Sequence, residues 1–497
     1  MITQLIFDWA KRTPDRTAII YNDRPWSYQS FAQLIALARN YFVRRGYIGP
    51  GYAVLAVHNP MDFWILSLAL RSLGLTTVAV GFVAEEGAEG KPNVRAAVSK
   101  LGASNVRCVI TSPVETWPGL DGLCTKLRLP LLSVSLVDET PLGLEAFEAP
   151  YPLGGHILLT SGTTGSHKML LISAAFDATA LQRNVEIIGM NQDTVLSVFD
   201  FPAWTAIGYR CAASPWTVGG AIVIEQRQFY RALLCPGITH AVLVPVVLSV
   251  ILAAPADAFP RNDAIQLIVA GGPMTRIQVD QAEARITKRL FNWFASTEVG
   301  SIAFTPLKTP DDHRWQRLAP GRVVEVVDEF DRPVPVGATG RVRVSTAGGP
   351  TSYLNDETAT RSFFKDGFFY PGDLAVVRSD GRMALQGRLT DVVNMQGAKL
   401  SLTPIEDRLR EFFGVSGVCL FSMQNDSGEE EIHVVIETST PIDSEKLTAA
   451  FSQVPELRGF HLGRVHQVAA LARNPMGKVL RQAVRAQAVA SLDGAVE

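Results

Sequence analysis

The sequence predicts an α/β protein. Three observations carry this. Short apolar strands alternate with segments of helical period through the first 380 or so residues, which implies parallel sheets with crossover helices. Around residues 321–346 the pattern changes to paired alternating strands, the mark of β-hairpins. Past Gly387 the chain restarts as a small α+β unit.

The elements follow in order. Residues 1–9 read as an amphipathic helix, with Ile2, Leu5, Ile6 and Trp9 on one face and no basic, apolar leader pattern. Residues 27–43 place Phe31, Leu34, Ile35 and Ala38 at helical spacing behind Ser27, a residue suited to cap them. Residues 61–73 read as a helix and 75–80 as a strand. The most apolar stretch, 241–254, is too short to cross a bilayer and contains Pro245, so it reads as a buried strand and helix. Strands are predicted at 221–225 and 264–270, the second followed by Gly271-Gly272-Pro273 and a helical run to about Arg289. Beyond the boundary at 387–391, helices are expected at 404–413, 444–451 and 479–490, with strands at 417–423 and 431–437.

Composition excludes several classes. The 497 residues carry 46 Lys plus Arg and 48 Asp plus Glu, a formal net charge of −2, which leaves no basic surface for nucleic acid. Hydrophobic residues make up 47%, too many for a disordered chain. The five cysteines, Cys108, Cys124, Cys211, Cys235 and Cys419, include no CxxC pair, so neither a disulfide scaffold nor a zinc module is expected. A cytoplasmic protein without membrane attachment follows.

The strongest chemical signal is residues 158–168. An apolar strand enters Thr160-Ser161-Gly162-Thr163-Thr164-Gly165-Ser166-His167-Lys168. Glycines let a backbone approach a phosphate, amides and hydroxyls donate to its oxygens, and Lys adds charge. The spacing is not that of a Walker A loop.

This loop resembles the phosphate loop of the adenylate-forming superfamily, which includes acyl- and aryl-CoA synthetases, peptide-synthetase adenylation domains and luciferases. Other segments resemble the family's in order. They are Gly271-Gly272-Pro273, Asn292-Trp293-Phe294-Ala295-Ser296-Thr297-Glu298, Ser352-Tyr353-Leu354-Asn355-Asp356 and Tyr370-Pro371-Gly372-Asp373. Gly387-Arg388-Leu389-Thr390-Asp391 with Gly397-Ala398-Lys399, and residues 474–481, complete the set.

The resemblance implies a large N-terminal lobe, 1–387, of stacked mixed α/β sheets plus a β-barrel-like subdomain. A small mobile α+β C-terminal domain, 388–497, would turn on a hinge at Thr390. It further implies that a carboxylic acid is activated by ATP and Mg²⁺ to an acyl-adenylate, then transferred to coenzyme A or to carrier-protein phosphopantetheine. Thr160, Ser161, Gly162, Thr163, Thr164, Gly165 and Lys168 would hold phosphates. Gly271, Gly272, Pro273, Asn292, Phe294 and Ala295 would surround adenine, with Phe294 stacking on it. Thr297 would meet the α-phosphate, and Glu298 the metal. Asp373 would take the ribose hydroxyls, with Arg388 beside it. Lys478 would neutralise charge as the bond forms, and Gly397 would line the thiol passage. Dimers occur in the family.

The sequence departs from the family pattern in places. His167 and Met169 replace Pro and Gly, Phe294-Ala295 replaces Tyr-Gly, and Pro371 replaces Thr. None removes a carboxylate or lysine on which charge neutralisation depends. A nucleotide-binding regulator without catalysis is the alternative of another class.

Residues 199–208 read as the acid pocket, with Asp200, Phe201, Trp204 and Thr205, joined by Trp293, Ala270 and Ile302. Two family patterns overlay this segment. One resembles CoA synthetases, with Thr205 where His is usual. The other resembles peptide-synthetase domains, in which an Asp pairs with a substrate amine. Asp200 therefore either recognises an amine or caps a helix starting at Pro202. Trp293 and Trp204 favour a small or aromatic acid.

Overall fold

The computed structural model describes residues 2–80, 82–85, 88–115, 117–137, 152–160, 168–199, 201–395, 398–425, 430–457, 461–473 and 479–493. Two sheets, of eight and six strands, organise the chain up to residue 306. The eight-stranded sheet runs in the order 300–306, 290–296, 266–270, 240–243, 195–197, 221–224, 17–21 and 24–27. Its interior pairs are parallel, and only its two edge strands turn antiparallel. A six-stranded sheet runs 168–172, 156–160, 76–79, 52–55, 106–111 and 131–133. Strands at the centre of such sheets are buried on both faces, which is why His240–Leu243, Gln266–Ala270 and His156–Thr160 are buried along their whole length.

A helical layer fills the space between the sheets. Tyr28–Arg44 and Pro60–Ser72 bury Phe31, Ile35, Leu68 and Leu70 in one cluster with Ile19 and Ile222 of the first sheet and Leu55 and Ile110 of the second. Ser27 caps its helix by accepting from the Ser30 amide at 3.2 Å. The N-terminal helix Ile2–Arg12 joins this layer through Ile2, Ile6, Phe7 and Ala10. Leu5 and Trp9 are only half-buried, so the buried face is centred nearer Phe7 than the spacing predicts. Residues 241–254 form the expected strand and helix, His240–Leu243 and Pro245–Leu252.

Two glycines sit where adjacent strands of the six-stranded sheet close on one another. A Cβ on Gly154 would stand 1.8 Å from the Leu75 carbonyl oxygen, and one on Gly155 would stand 2.3 Å from that of Ile172. Only a residue without a side chain fits at either place.

The third sheet is antiparallel, with strands 364–365, 368–369, 339–345, 373–377 and 383–388 in order and 324–327 against 339–345. Glu325 lies opposite Arg343 and accepts from its Nε at 2.7 Å. The sheet packs Val326, Val344 and Met383 over Val299 and Ile302 of the first sheet's edge. In the C-terminal segment, helices Leu402–Phe413, Ser444–Ser452 and Arg481–Asp493 accompany the sheet 417–424, 430–437 and 462–468. Among the described residues, no helix is long and apolar enough to cross a membrane. All five cysteines are buried and free.

Candidate active site

The expected phosphate loop joins two antiparallel strands. His156–Thr160 pairs with Lys168–Ile172, and Thr160 stands opposite Lys168. Ser161, Gly162, Thr163, Thr164, Gly165 and His167 lie outside the described residues, as do Asp200, Gly397 and Lys478. Met169, where the family pattern has Gly, is a buried strand residue.

Lys168 is half-buried against two rings. Its Nζ lies 3.9 Å from the Phe363 ring centre and 5.1 Å from that of Tyr353. Burial lowers its pKa, against an upward pull from the carboxylates of Glu298 and Asp356, while Arg388 adds to the lowering. These side chains thus share one electrostatic neighbourhood, although they come from four segments. The segment 353–356 is tied to the lysine's own strand, because the Leu354 amide donates to the Met169 carbonyl at 2.8 Å.

Glu298 is buried and accepts from the Tyr353 hydroxyl at 2.6 Å. Burial and the Glu298 charge push the Tyr353 phenol well above its ordinary range, so it stays a donor. Glu298 and Thr297 sit in the turn between the strands Leu290–Ser296 and Gly300–Pro306. A bulge between Phe294 and Ala295 shifts the register just before this turn and re-aims it.

Two arginines fix the same turn from behind. Arg210, on helix Ala206–Thr217, donates to the Thr297 carbonyl at 2.9 Å and to that of Ser296 at 3.4 Å. Arg322 donates to the Ser301 carbonyl at 3.0 Å and to that of Val299. Neither was legible in the sequence. Guanidiniums that fold back onto distant carbonyls leave no local spacing, and Arg210 sits in an otherwise apolar helix.

Asp373 and Arg388 are brought together directly. They stand opposite each other in adjacent strands, and Arg388 Nε lies 3.3 Å from Asp373 Oδ1. Gly271 has φ +81°, and a Cβ there would press on Val244 at 3.2 Å; Gly272 and Pro273 follow it into the helix Arg276–Arg285. Asn292 is buried in its strand and Phe294 is half-buried at the rim of the antiparallel sheet's core.

The acid-pocket segment differs from expectation. Phe199 is buried with φ +42°, a left-handed conformation that is strained for a bulky residue. The chain then turns through 201–205, and the helix begins at Ala206 rather than at Pro202. Thr205 is its cap, accepting from the Gly208 amide at 3.1 Å. The predicted Asp200 cap of a helix at Pro202 is therefore corrected. Gly208 admits no side chain, because a Cβ would lie 2.3 Å from the Pro202 carbonyl oxygen.

Trp204 is half-buried between two core clusters, and its carbonyl accepts from the Leu159 amide at 3.0 Å, just before residues 161–167. Phe201 is half-buried. Trp293 is buried opposite Ala270, edge-on to Phe304, and donates to Ser301 Oγ at 3.0 Å. Ile302 is fully buried in the core under the antiparallel sheet, which makes it a packing residue.

The family resemblance calls for Mg²⁺. Among the described residues, no group of three or more His, Cys, Asp or Glu could hold a metal. A single buried carboxylate, Glu298, fits an ion that takes one protein oxygen and completes its shell with phosphate and water.

At the C-terminal end, Arg481 donates to the Glu406 carboxylate and the Leu420 carbonyl and lies 3.6 Å from Asp391. It thereby ties the start of helix Arg481–Asp493 to the helix Leu402–Phe413 and the strand 417–424.

Comparison with known proteins adds to this geometry. A family model described as "AMP-binding enzyme" matches residues 6–354. The chain is 25% identical to a Streptomyces salicylyl-CoA synthase / salicylate adenylyltransferase, over 91% of this chain and 87% of that protein. It is 24% identical to the fatty acid–[acyl-carrier-protein] ligase ScoC of Streptomyces coeruleorubidus, over 66% of each. The crystal structure of ATP-bound MatB from Rhodopseudomonas palustris superposes with a TM-score of 0.81 at 19% identity, covering 98% of this chain and 99% of that one.

Proposed function

The chain belongs to the AMP-binding enzyme family of adenylate-forming ligases, and from that premise we propose that it activates a small or aromatic carboxylic acid with ATP and passes the acyl group to coenzyme A. The observation that carries this reading is the shared neighbourhood of Lys168, Glu298, Asp356 and Arg388, with Asp373 paired to Arg388. Both reactants are anions, so positioning and neutralisation are what the site must supply.

In this reading the acid's carboxylate attacks the α-phosphorus and pyrophosphate leaves. Thr160, the loop 161–165 and Lys168 hold the β- and γ-phosphates, and Thr297 donates to the α-phosphate. Glu298, steadied by Tyr353, would hold Mg²⁺, which would supply charge neutralisation. Asp373 accepts from the ribose hydroxyls beside Arg388, and Phe294 stacks on adenine. Lys478 comes to the reacting carboxylate from the segment 388–497, which turns at Thr390. In a second orientation Gly397 lines the path of the thiol, whose sulfur attacks the acyl carbon and releases AMP.

Trp293 and Trp204 support a short or aromatic acid, and the salicylate relative is named for an aryl acid and a CoA thioester. The carrier-protein relative supports a second reading, loading of a separate carrier's phosphopantetheine. With it stands amine recognition by Asp200. The buried, free cysteines support a reducing, cytoplasmic setting.

ATP–pyrophosphate exchange with short aliphatic, benzoic, aryl-alkanoic, β-amino and long-chain acids tests the reading. Exchange with benzoic or short acids, lost in Lys478→Ala, is the expected result. Exchange with long-chain acids alone would remove the size argument. Tight ATP binding without exchange for any acid would leave a nucleotide-binding regulator. Thioester formation with coenzyme A against a phosphopantetheinylated carrier separates the two acceptors.

A further inference from the structure

Behind the Glu298 turn lies a cluster that the proposed reaction does not use. Arg183, Arg210 and Arg322 line a small cavity with Asn184, Phe176 and Gly300. Its interior room is about 10 Å³, that of one water-sized group. Helix Ala174–Ile188 supplies Arg183 and Asn184, and helix Ala206–Thr217 supplies Arg210. Among the described residues, no carboxylate lines it.

The lining side chains offer donors and no anion. Arg210 and Arg322 donate to backbone carbonyls; the carboxylates of Asp177 and Glu298 partly offset the Arg210 charge, whereas the charges that bear on Arg322 are those of Arg183 and Arg210. Asn184 is 3% exposed, and its Nδ2 has no acceptor among the described residues. A buried amide left in that state is costly unless something accepts from it. Arg183 makes no hydrogen bond or ion pair among the described residues. Burial holds Arg322 down to about 10, and the charges of Arg183 and Arg210 add to the lowering. Three cations facing one another around an unsatisfied donor are the electrostatic complement of an anion.

We propose that this cavity binds a small oxyanion of carboxylate size, held by Arg183 and Asn184 Nδ2 against Arg210 and Arg322. Arg183 is half-exposed, so its flexible side chain is the wall that opens to admit the whole group. Because Arg210 and Arg322 also hold the carbonyls at 296, 297, 299 and 301, an occupant steadies the turn that carries Glu298. Two sources share this chemistry: a free inorganic or organic anion, and a second carboxylate on the acid substrate.

Formate, the smallest carboxylate, is the first probe. The full chain is titrated at constant ionic strength in thermal unfolding, as wild type, Arg183→Ala and Arg183→Lys. The expected result is a saturable rise in Tm that shrinks in Arg183→Ala and returns in Arg183→Lys, with AMP binding equal in all three. Superimposable curves for the three chains would overturn the proposal. This arm does not depend on adenylation, so it and the proposed function fail separately. Pyrophosphate exchange with a diacid and the matching monoacid then assigns the source. A tenfold or greater rise in the diacid KM alone in Arg183→Ala identifies the substrate's second carboxylate. Unchanged KM values beside a lost formate effect identify the free anion.

Discussion

The Tyr353 hydroxyl donates to Glu298 Oε1 at 2.6 Å, across 55 residues of sequence and into a buried site. The tyrosine is a support for the carboxylate, and its ring also forms one wall around the Lys168 ammonium. Tyr353→Phe keeps that wall and deletes only the donor. Leaving a buried acceptor short of a partner costs about 1–3 kcal/mol. The expected result is a fall of about tenfold or more in kcat/KM for ATP and a higher Mg²⁺ requirement. Steady-state kinetics over a Mg²⁺ titration checks both. An unchanged Mg²⁺ dependence would separate Glu298 from the metal.

Trp293→Ala removes a buried indole, its bond to Ser301 and its edge contact with Phe304. The expected destabilisation is about 3–5 kcal/mol, read as a lower denaturant midpoint. If Trp293 limits acid length, the same variant accepts longer acids in the exchange panel. A variant that is destabilised but unchanged in preference would make Trp293 a packing residue only.

Arg71 is fully buried and donates to Tyr209 and to Asp177 Oδ2, the latter at 2.8 Å, while Tyr209 donates to the same oxygen at 2.8 Å. Asp177→Asn strands the guanidinium and is expected to cost about 3–5 kcal/mol. Replacing both partners by apolar residues, Arg71→Met with Asp177→Leu, is expected to cost less than the sum of the singles. Chemical denaturation of the three variants measures the coupling.

Stability is expected to fall as the solution is acidified. Burial holds His156 down to about 3 and His240 down to about 4. Both are neutral in the fold and gain protons on unfolding once the pH drops below the ordinary histidine value. The unfolded state then binds more protons, so stability is lost from pH 6.5 downward through the window above the folded values. By pH 5 the loss is roughly 2 kcal/mol for each. His240 accepts from Gln266, the two nitrogens 2.7 Å apart, which needs the neutral ring. Thermal unfolding at pH 7 and pH 5 checks this, and His156→Phe is expected to flatten the slope.

The periodic elements were legible because their signals are local. The Ser27 cap, the buried strand at 240–243 and the hairpin pairing Glu325 with Arg343 each rest on a few adjacent residues. Lys168, Glu298, Asp373 and Arg388 stood out because their motifs are short and ordered, and the fold brings Lys168 into the field of Glu298 and Arg388 and sets Asp373 beside Arg388. The helix at 206 was misplaced because Pro202 reads as a first helical residue, whereas the left-handed Phe199 redirects the chain and delays the start. The Arg210 and Arg322 clamps were missed because long-range bonds from a flexible side chain to carbonyls carry no pattern.

At Gly154 and Gly155 the backbone itself occupies the space a side chain would need. Every missense codon change at either position pushes a carbon into a carbonyl oxygen. In a library of random variants selected for folding, these two codons should pass only synonymous changes. They are then a pair of fixed marks by which a diverged copy of this chain can be aligned where residues 161–167 have drifted beyond recognition.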